Sequence, residues 1–202
     1  MQRGIKMAKE EAKFDVVRYI RGSNAIEGIF DEAEVSQSLV AWDHLMSIGD
    51  ELTHGDICKV QKIITLNQTD LQPNQRGYYR NVSGTNVTIG GRYAPDASMV
   101  EHLMANWLLD VPKMQPLIGH IRFELIHPFV DGNGRTGRMI YWFICLINGI
   151  TPKYYGLDRD PDLTEQQNRE WYYRLFEQKK VIELSNNNWG IDFTGEAKKA
   201  EK

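Results

Sequence analysis

The sequence predicts an all-α bundle carrying one small β-hairpin. Three observations carry that reading. Apolar residues recur at helical spacing through most of the chain. Capping patterns stand at the head of several of these stretches. Only residues 67–95 break the rhythm, with clustered glycines and prolines and a short alternating run. The chain has 202 residues, enough for one domain with short appendages, and 42% of them are hydrophobic, which suffices for a real core.

Taken in order, residues 8–22 place Phe14, Val17 and Ile20 at helical spacing. Asp31 with Glu34 has the form of a capping box and opens a helix to about residue 47, with Val35, Leu39, Trp42 and Met46 on one face. Thr53 with Asp56 opens another, through Ile57, Val60 and Ile64. In the segment from Pro73 to Pro95, Val87 and Ile89 alternate with Asn86, Thr88 and Gly90, which predicts a hairpin or flap over about 80–95. Helical spacing returns at 97–110 (Met99, Leu103, Met104, Trp107), and a further helix is expected at about 112–126. Arg135 to Asn148 is apolar nearly all round, the pattern of a helix in the middle of a bundle, and Asn148-Gly149 is a C-terminal stop. Thr164 with Gln167 heads a last helix bearing Trp171, Tyr172, Leu175 and Phe176. The expected organisation is a single domain over 1–184 and a polar, loosely ordered tail over 185–202.

The net charge of −3 argues against a chain that lives on nucleic acid or an anionic membrane, because phosphate-rich partners need a basic surface. A local anion site stays open. Cys58 and Cys145 form no disulfide framework and show no metal-type spacing. The N-terminus has no apolar signal region, and the longest apolar stretch, Met139 to Ile147, is too short to span a bilayer. A cytoplasmic protein is expected, with neither nucleic acid nor membrane as partner.

The chemistry concentrates in His127-Pro128-Phe129-Val130-Asp131-Gly132-Asn133-Gly134-Arg135-Thr136-Gly137-Arg138. Gly132 and Gly134 can both take φ > 0, which would turn successive N–H groups inward as an anion nest. A helix starting near Arg135 would add its positive dipole end. Arg135 and Arg138 are three apart and can clamp a di- or triphosphate from one side of that helix. Asp131 is a hard oxygen ligand of the kind that holds Mg²⁺ together with phosphate oxygens. His127 can take a proton from an attacking hydroxyl. Phe129 reads as an apolar anchor. The parts suit transfer of a phosphorus-centred group.

This stretch matches throughout the motif His-Pro-Phe-x-Asp/Glu-Gly-Asn-Gly-Arg-x-x-Arg, and the chain therefore resembles the Fic (filamentation induced by cAMP) family. The resemblance implies a Fic-type helical bundle that transfers AMP from Mg-ATP to a Ser, Thr or Tyr hydroxyl of a target protein. It implies His127 as general base and Asp131 as the Mg²⁺ ligand. Gly132, Asn133 and Gly134 would form the nest, Arg135 would help bind the phosphates, and Arg138 would meet the γ-phosphate. Val87, Thr88, Ile89 and Gly90 look like the family flap, which pairs with an extended target segment. Gly77-Tyr78-Tyr79-Arg80 resembles the flap surroundings. Arg169-Glu170-Trp171-Tyr172-Tyr173 resembles a late-helix pattern that would put Tyr172 and Tyr173 on the adenine side. A homodimer is compatible with the resemblance.

A second pattern, Ser23-Asn24-Ala25-Ile26-Glu27-Gly28, matches Ser/Thr-x-x-x-Glu-Gly/Asn, the family's inhibitory helix, here expected over about 8–28. By that likeness Glu27 pairs with Arg138 and Ser23 seats the helix end. A carboxylate is the natural competitor of a phosphate at a guanidinium. Four alternatives stay open on sequence alone: an enzyme that also removes AMP, a kinase-type relative, a phosphocholine-transferring relative, and a nucleotide-binding regulator without turnover. Kinase-type relatives carry Lys at the position held here by Gly134, which favours AMP transfer.

Overall fold

The structure is a computed structural model that describes residues 14–81, 87–89, 92–152, 165–174 and 176. Seven α-helices and one two-stranded antiparallel hairpin make up the regular structure of these residues. The helices are α1 (Val16–Ile26), α2 (Glu32–Ser47), α3 (His54–Ile64), α4 (Ala97–Asp110), α5 (Pro116–Ile126), α6 (Asn133–Ile147) and α7 (Glu165–Arg174). The hairpin pairs β1 (Thr88–Ile89) with β2 (Arg92–Tyr93), in the register Thr88 to Tyr93 and Ile89 to Arg92. Residues 8–13 of the expected first helix, Gly90 of the flap, Thr164 and the tail 185–202 lie outside the described residues.

α6 is the axis of the bundle. It packs against α1, α2, α3 and α5, and nearly every residue from Asn133 to Leu146 is buried. That is the outcome its all-round apolar sequence dictates. Burying a side chain the size of Phe143 or Leu146 contributes about 1.5–3 kcal/mol. The expected capping box of α3 is present in full, with Thr53 and Asp56 bonding reciprocally. No described helix is long and apolar enough to cross a membrane.

Several expected boundaries move. α1 starts at Val16, capped by the Asp15 side chain, and runs to Ile26, inside the span of about 8–28 expected for it. Asp31 caps α2 through the Ala33 N–H, but Glu34 does not close a box, because its carboxylate is drawn to Arg135. The stretch expected as helix from 112 is a 3₁₀ turn at Val111–Lys113, and α5 begins only at Pro116, whose fixed φ and missing N–H suit a first helical position. α6 opens at Asn133, two residues earlier than Arg135.

Aromatic packing fixes the position of α1 on the bundle. Phe14, Tyr19, Trp42 and Trp142 form one cluster, with ring centroids 4.2–6.5 Å apart, that seats α1 on α2 and α6. The Tyr19 hydroxyl donates to Pro152 O at 2.8 Å. α1 then ends in a Schellman arrangement: Gly28 N–H donates to Ala25 O and Ile29 N–H to Asn24 O, both at 3.0 Å. Gly28 takes φ +73, which explains the glycine after Glu27 and fixes Glu27 as the last residue before the turn.

Candidate active site

The twelve-residue motif spans the end of α5, a short loop and the first turns of α6. His127 is the C-cap of α5 and sits at φ 49, ψ 63, the one non-glycine residue with positive φ among those described. Such a conformation is unfavourable by about 1–2 kcal/mol for a residue with a Cβ. The loop is locked by Asn133: its side-chain oxygen accepts from Phe129 N–H at 2.8 Å and its amide donates back to Phe129 O at 2.9 Å. Phe129 is fully buried and anchors the loop in the core.

Only one of the two motif glycines is left-handed. Gly132 takes φ +77, whereas Gly134 lies within the first turn of α6 with no positive φ. The expected pair of φ > 0 glycines is thus replaced by one left-handed glycine followed directly by a helix N-terminus. Gly132 N–H donates to the Asp131 carboxylate at 2.6 Å. The N–H groups of the first helical turn have no intrahelical acceptor and point their positive ends out of the helix. Gly134 is small for a different reason: a Cβ there would lie 2.5 Å from Glu27 Oε1 and 2.9 Å from Arg138 Nη1.

These residues line a cavity of about 440 Å³ together with Glu27, Thr88, Glu124, Tyr172 and Tyr173. His127, Asp131, Gly132, Asn133, Gly134, Arg135 and Arg138 all contribute to it. Asp131 is exposed at its edge. Arg138 is buried and holds two residues of α1 and its cap. Nε donates to Ser23 Oγ at 2.7 Å, and Nη2 donates to Ser23 O at 3.0 Å and to Glu27 Oε1 at 2.7 Å. Its Nη1, beside Gly134, has no hydrogen-bond partner among the described residues. The guanidinium lies 5.0 Å over the Tyr172 ring. Tyr172 is therefore a buried floor beneath Arg138, while Tyr173 is half-buried at the cavity wall. Of the flap residues, Thr88 reaches the cavity; Val87 O accepts from Ala94 N–H at 2.8 Å.

His127 is held as a neutral imidazole. Nδ1 lies 3.3 Å from Glu124 O, which can only accept, so Nδ1 carries the proton and Nε2 keeps its lone pair. Burial lowers the His127 pKa to about 4, the Glu124 carbonyl bond opposing the shift and the nearby Arg80 charge adding to it.

Several residues of this site lie outside the two sequence motifs. Glu34 binds Arg135 at 3.1 Å, so Arg135 already has a carboxylate partner. Gln61 donates to Asp131 O at 3.0 Å and accepts from Gly77 N–H. Glu124 is buried in the cavity wall, and burial raises its pKa to about 8, so it is a neutral acid at pH 7. His120 bonds the Tyr172 hydroxyl at 3.1 Å and is kept neutral by burial, its pKa lowered to about 3. The available signal was a polar side chain on a buried helical stripe: Gln61 among Ile57, Val60 and Ile64, and His120 with Glu124 among Ile121, Phe123 and Leu125.

The N-terminus of α6, a neutral histidine and two arginines thus line one cavity of the helical bundle. Residues 51–145 match the Fic/DOC family. It is 38% identical over 73 residues to a probable protein adenylyltransferase of Aquifex aeolicus, covering 32% of this chain and 22% of that protein. It is 30% identical over 125 residues to the protein adenylyltransferase fic-1 of Caenorhabditis elegans, covering 57% and 22%. The protein adenylyltransferase Fic of Nematostella vectensis is 26% identical over 180 residues, 73% of this chain and 41% of its own length. The chain thus spans 22–41% of the length of these relatives. Among solved structures, a Fic domain containing signaling protein from Bacteroides thetaiotaomicron superposes with a TM-score of 0.57 at 17% identity, covering 91% of this chain and 85% of that one. A Fic family protein from Desulfovibrio desulfuricans gives 0.52 at 20%, covering 92% and 66%. Both share the helical fold.

Proposed function

We propose that this chain is a protein adenylyltransferase held in check by its own helix α1. The observation that carries the proposal is the placement of Glu27. Its carboxylate bonds the second arginine of the motif at 2.7 Å inside the motif-lined cavity, where the terminal phosphate of a nucleotide would otherwise bind.

In the proposed reaction the phosphates of ATP lie along the N-terminus of α6, with Arg135 and Arg138 on one side. Among the described residues no group of three His, Cys, Asp or Glu side chains is placed to hold a metal ion by itself. The exposed Asp131 carboxylate at the cavity edge instead fits a Mg²⁺ shared with phosphate oxygens, which neutralises phosphate charge when bound. An extended target segment pairs beside the flap at Val87, Thr88, Ile89 and Gly90. His127 Nε2 accepts the proton of the target hydroxyl. The hydroxyl oxygen bonds the α-phosphorus, the bond from that phosphorus to the bridging oxygen breaks, and pyrophosphate leaves. Gly134 stands where kinase-type relatives carry Lys, which favours AMP transfer, and a side chain at that position would also collide with the docked Glu27.

The test is intact mass spectrometry of Glu27→Gly incubated with Mg·ATP and a mixed lysate. An AMP adduct on the chain itself or on a lysate protein is expected. A phosphate adduct, or no adduct on any protein, overturns the reading. Removal of AMP is the second reading. It is favoured by Glu27 lining the same cavity as His127 with 30% of its side chain exposed, a position from which a carboxylate can orient water. Its signature is loss of AMP from a purified adduct on adding wild type but not Glu27→Gly.

A further inference from the structure

The catalytic loop is also gripped by a residue outside the motif. Arg80 lies between the Gly77 turn and the flap and is 4% exposed. Carbonyl oxygens take its described side-chain hydrogen bonds. Nε donates to His127 O at 2.7 Å, and Nη2 donates to Ile126 O at 3.1 Å and to Pro95 O at 2.6 Å. Its own backbone N–H donates to Pro128 O at 2.9 Å. Ile126 and His127 stand at the end of α5, where carbonyls lack intrahelical partners and the helix dipole is negative, so a cation is well placed there. Pro95 follows β2 and precedes α4, at the root of the flap. One side chain therefore ties three things together: the end of α5, the left-handed backbone of His127 and the flap root. Gln61 repeats the arrangement on the other side of the loop, linking Gly77 N–H to Asp131 O.

We infer that Arg80 is a positioning residue that fixes the His127 imidazole relative to the flap, so that the base and a flap-bound target segment stay in register. The inference rests on the adenylyltransferase reading above. The bond to His127 O matters beyond fold stability because it restrains the peptide that sets the direction of the imidazole. Placement is what a general base requires: an error near 1 Å costs about 10²-fold in rate. Besides Arg80, the groups whose charge acts on this imidazole are Glu27 from the end of α1 and Asp131 from the loop, with the Glu124 carbonyl bonding it from α5. Removing the Arg80 cation takes away an influence that disfavours the imidazolium.

The experiment uses the full chain with Glu27→Gly as parent and adds Arg80→Lys or Arg80→Met. Lysine keeps the charge but cannot span three carbonyls as a planar guanidinium does. Three quantities are read: single-turnover transfer of α-labelled AMP, affinity for Mg·ATP, and the ¹⁵N signals of the His127 ring across pH, assigned with His127→Ala. Arg80→Lys is expected to slow transfer by about 10²-fold while Mg·ATP affinity stays within about twofold, because Arg80 acts on the base and not on the nucleotide. In Arg80→Met the His127 ring is expected to protonate at higher pH than in the parent. Transfer by Arg80→Lys at the parental rate, or a loss matched by an equal loss of Mg·ATP affinity, overturns the inference. A parent that makes no adduct is a failure of the adenylyltransferase reading. The His127 ring signals then decide the positioning role alone, and signals unchanged in both Arg80 variants overturn it.

Discussion

On the proposed reading Glu27 and a terminal phosphate compete for one guanidinium, so neutralising and then removing the Glu27 side chain should tighten ATP binding in steps and leave AMP binding alone. The 2.7 Å bond from Arg138 is charge-assisted and has one well-buried partner, whereas Glu27 keeps 30% of its side chain exposed. Such bonds contribute about 1.5–3 kcal/mol, and the exposure of Glu27 places this one in the lower half of that range. At about 1.4 kcal/mol per factor of ten, Glu27→Gly should tighten ATP by about 10- to 50-fold. Glu27→Gln keeps a neutral bond of about 0.5–1.5 kcal/mol and should tighten ATP by only about 5-fold. Arg138 keeps both bonds to Ser23 in either variant, so the guanidinium stays in place to receive the phosphate. AMP has no terminal phosphate to compete, and its affinity should not move. Calorimetric titration of the three chains with ATP and with AMP, in Mg²⁺, measures this directly. Equal tightening of both nucleotides, or no change in either, refutes the competition.

The remaining predictions concern the base, the buried acid and the loop. With the His127 pKa lowered to about 4, the imidazole is unprotonated throughout the range above about pH 5, so the transfer rate of Glu27→Gly should be flat from pH 8 to pH 5.5 and fall only below that; a fall centred near pH 6.5 contradicts the buried neutral base. Glu124 is protonated in the folded chain up to about pH 8 and ionised above about 4.5 when unfolded, so its contribution is fully present below pH 4.5 and is lost as pH rises to 8. Glu124→Gln should therefore flatten the decline of stability between pH 4.5 and 8, read as denaturation midpoints across that window. Asn133→Ala leaves the Phe129 N–H and C=O without their side-chain partner, which should cost about 2–4 kcal/mol of stability in a denaturant titration.

Much of the fold could be read where local chemistry governs it. The Thr53–Asp56 box, the alternation around Thr88 and the apolar belt of α6 all rest on interactions between near neighbours, and each appears where expected. The misreadings arise where a distant partner wins. Glu34 has the right spacing to close a box on Asp31 but is taken by Arg135, 101 residues away. The start of α6 shifts to Asn133 because that side chain turns back to close the loop on Phe129, which leaves only Gly132 needing a left-handed backbone. Gly134 reads as a flexible turn residue and is in fact a helical position kept clear for Glu27 and Arg138. The motif itself was legible because it packs its chemistry into twelve consecutive residues. Arg80, Gln61, Glu124 and His120 carry no role that local sequence reveals, since each meets the loop, the cavity or Tyr172 through contacts made only by the tertiary fold.

The most direct test of the central claim tracks the two ends of ATP separately. Glu27→Gly and Glu27→Gly with His127→Ala are each incubated with Mg·ATP labelled on the α- or on the γ-phosphate, with a mixed lysate as target. AMP transfer by a His127 base predicts protein-bound label from the α-phosphate alone in the single variant, and its loss in the double variant. Protein-bound label from the γ-phosphate, or α-label that survives the loss of His127, contradicts it.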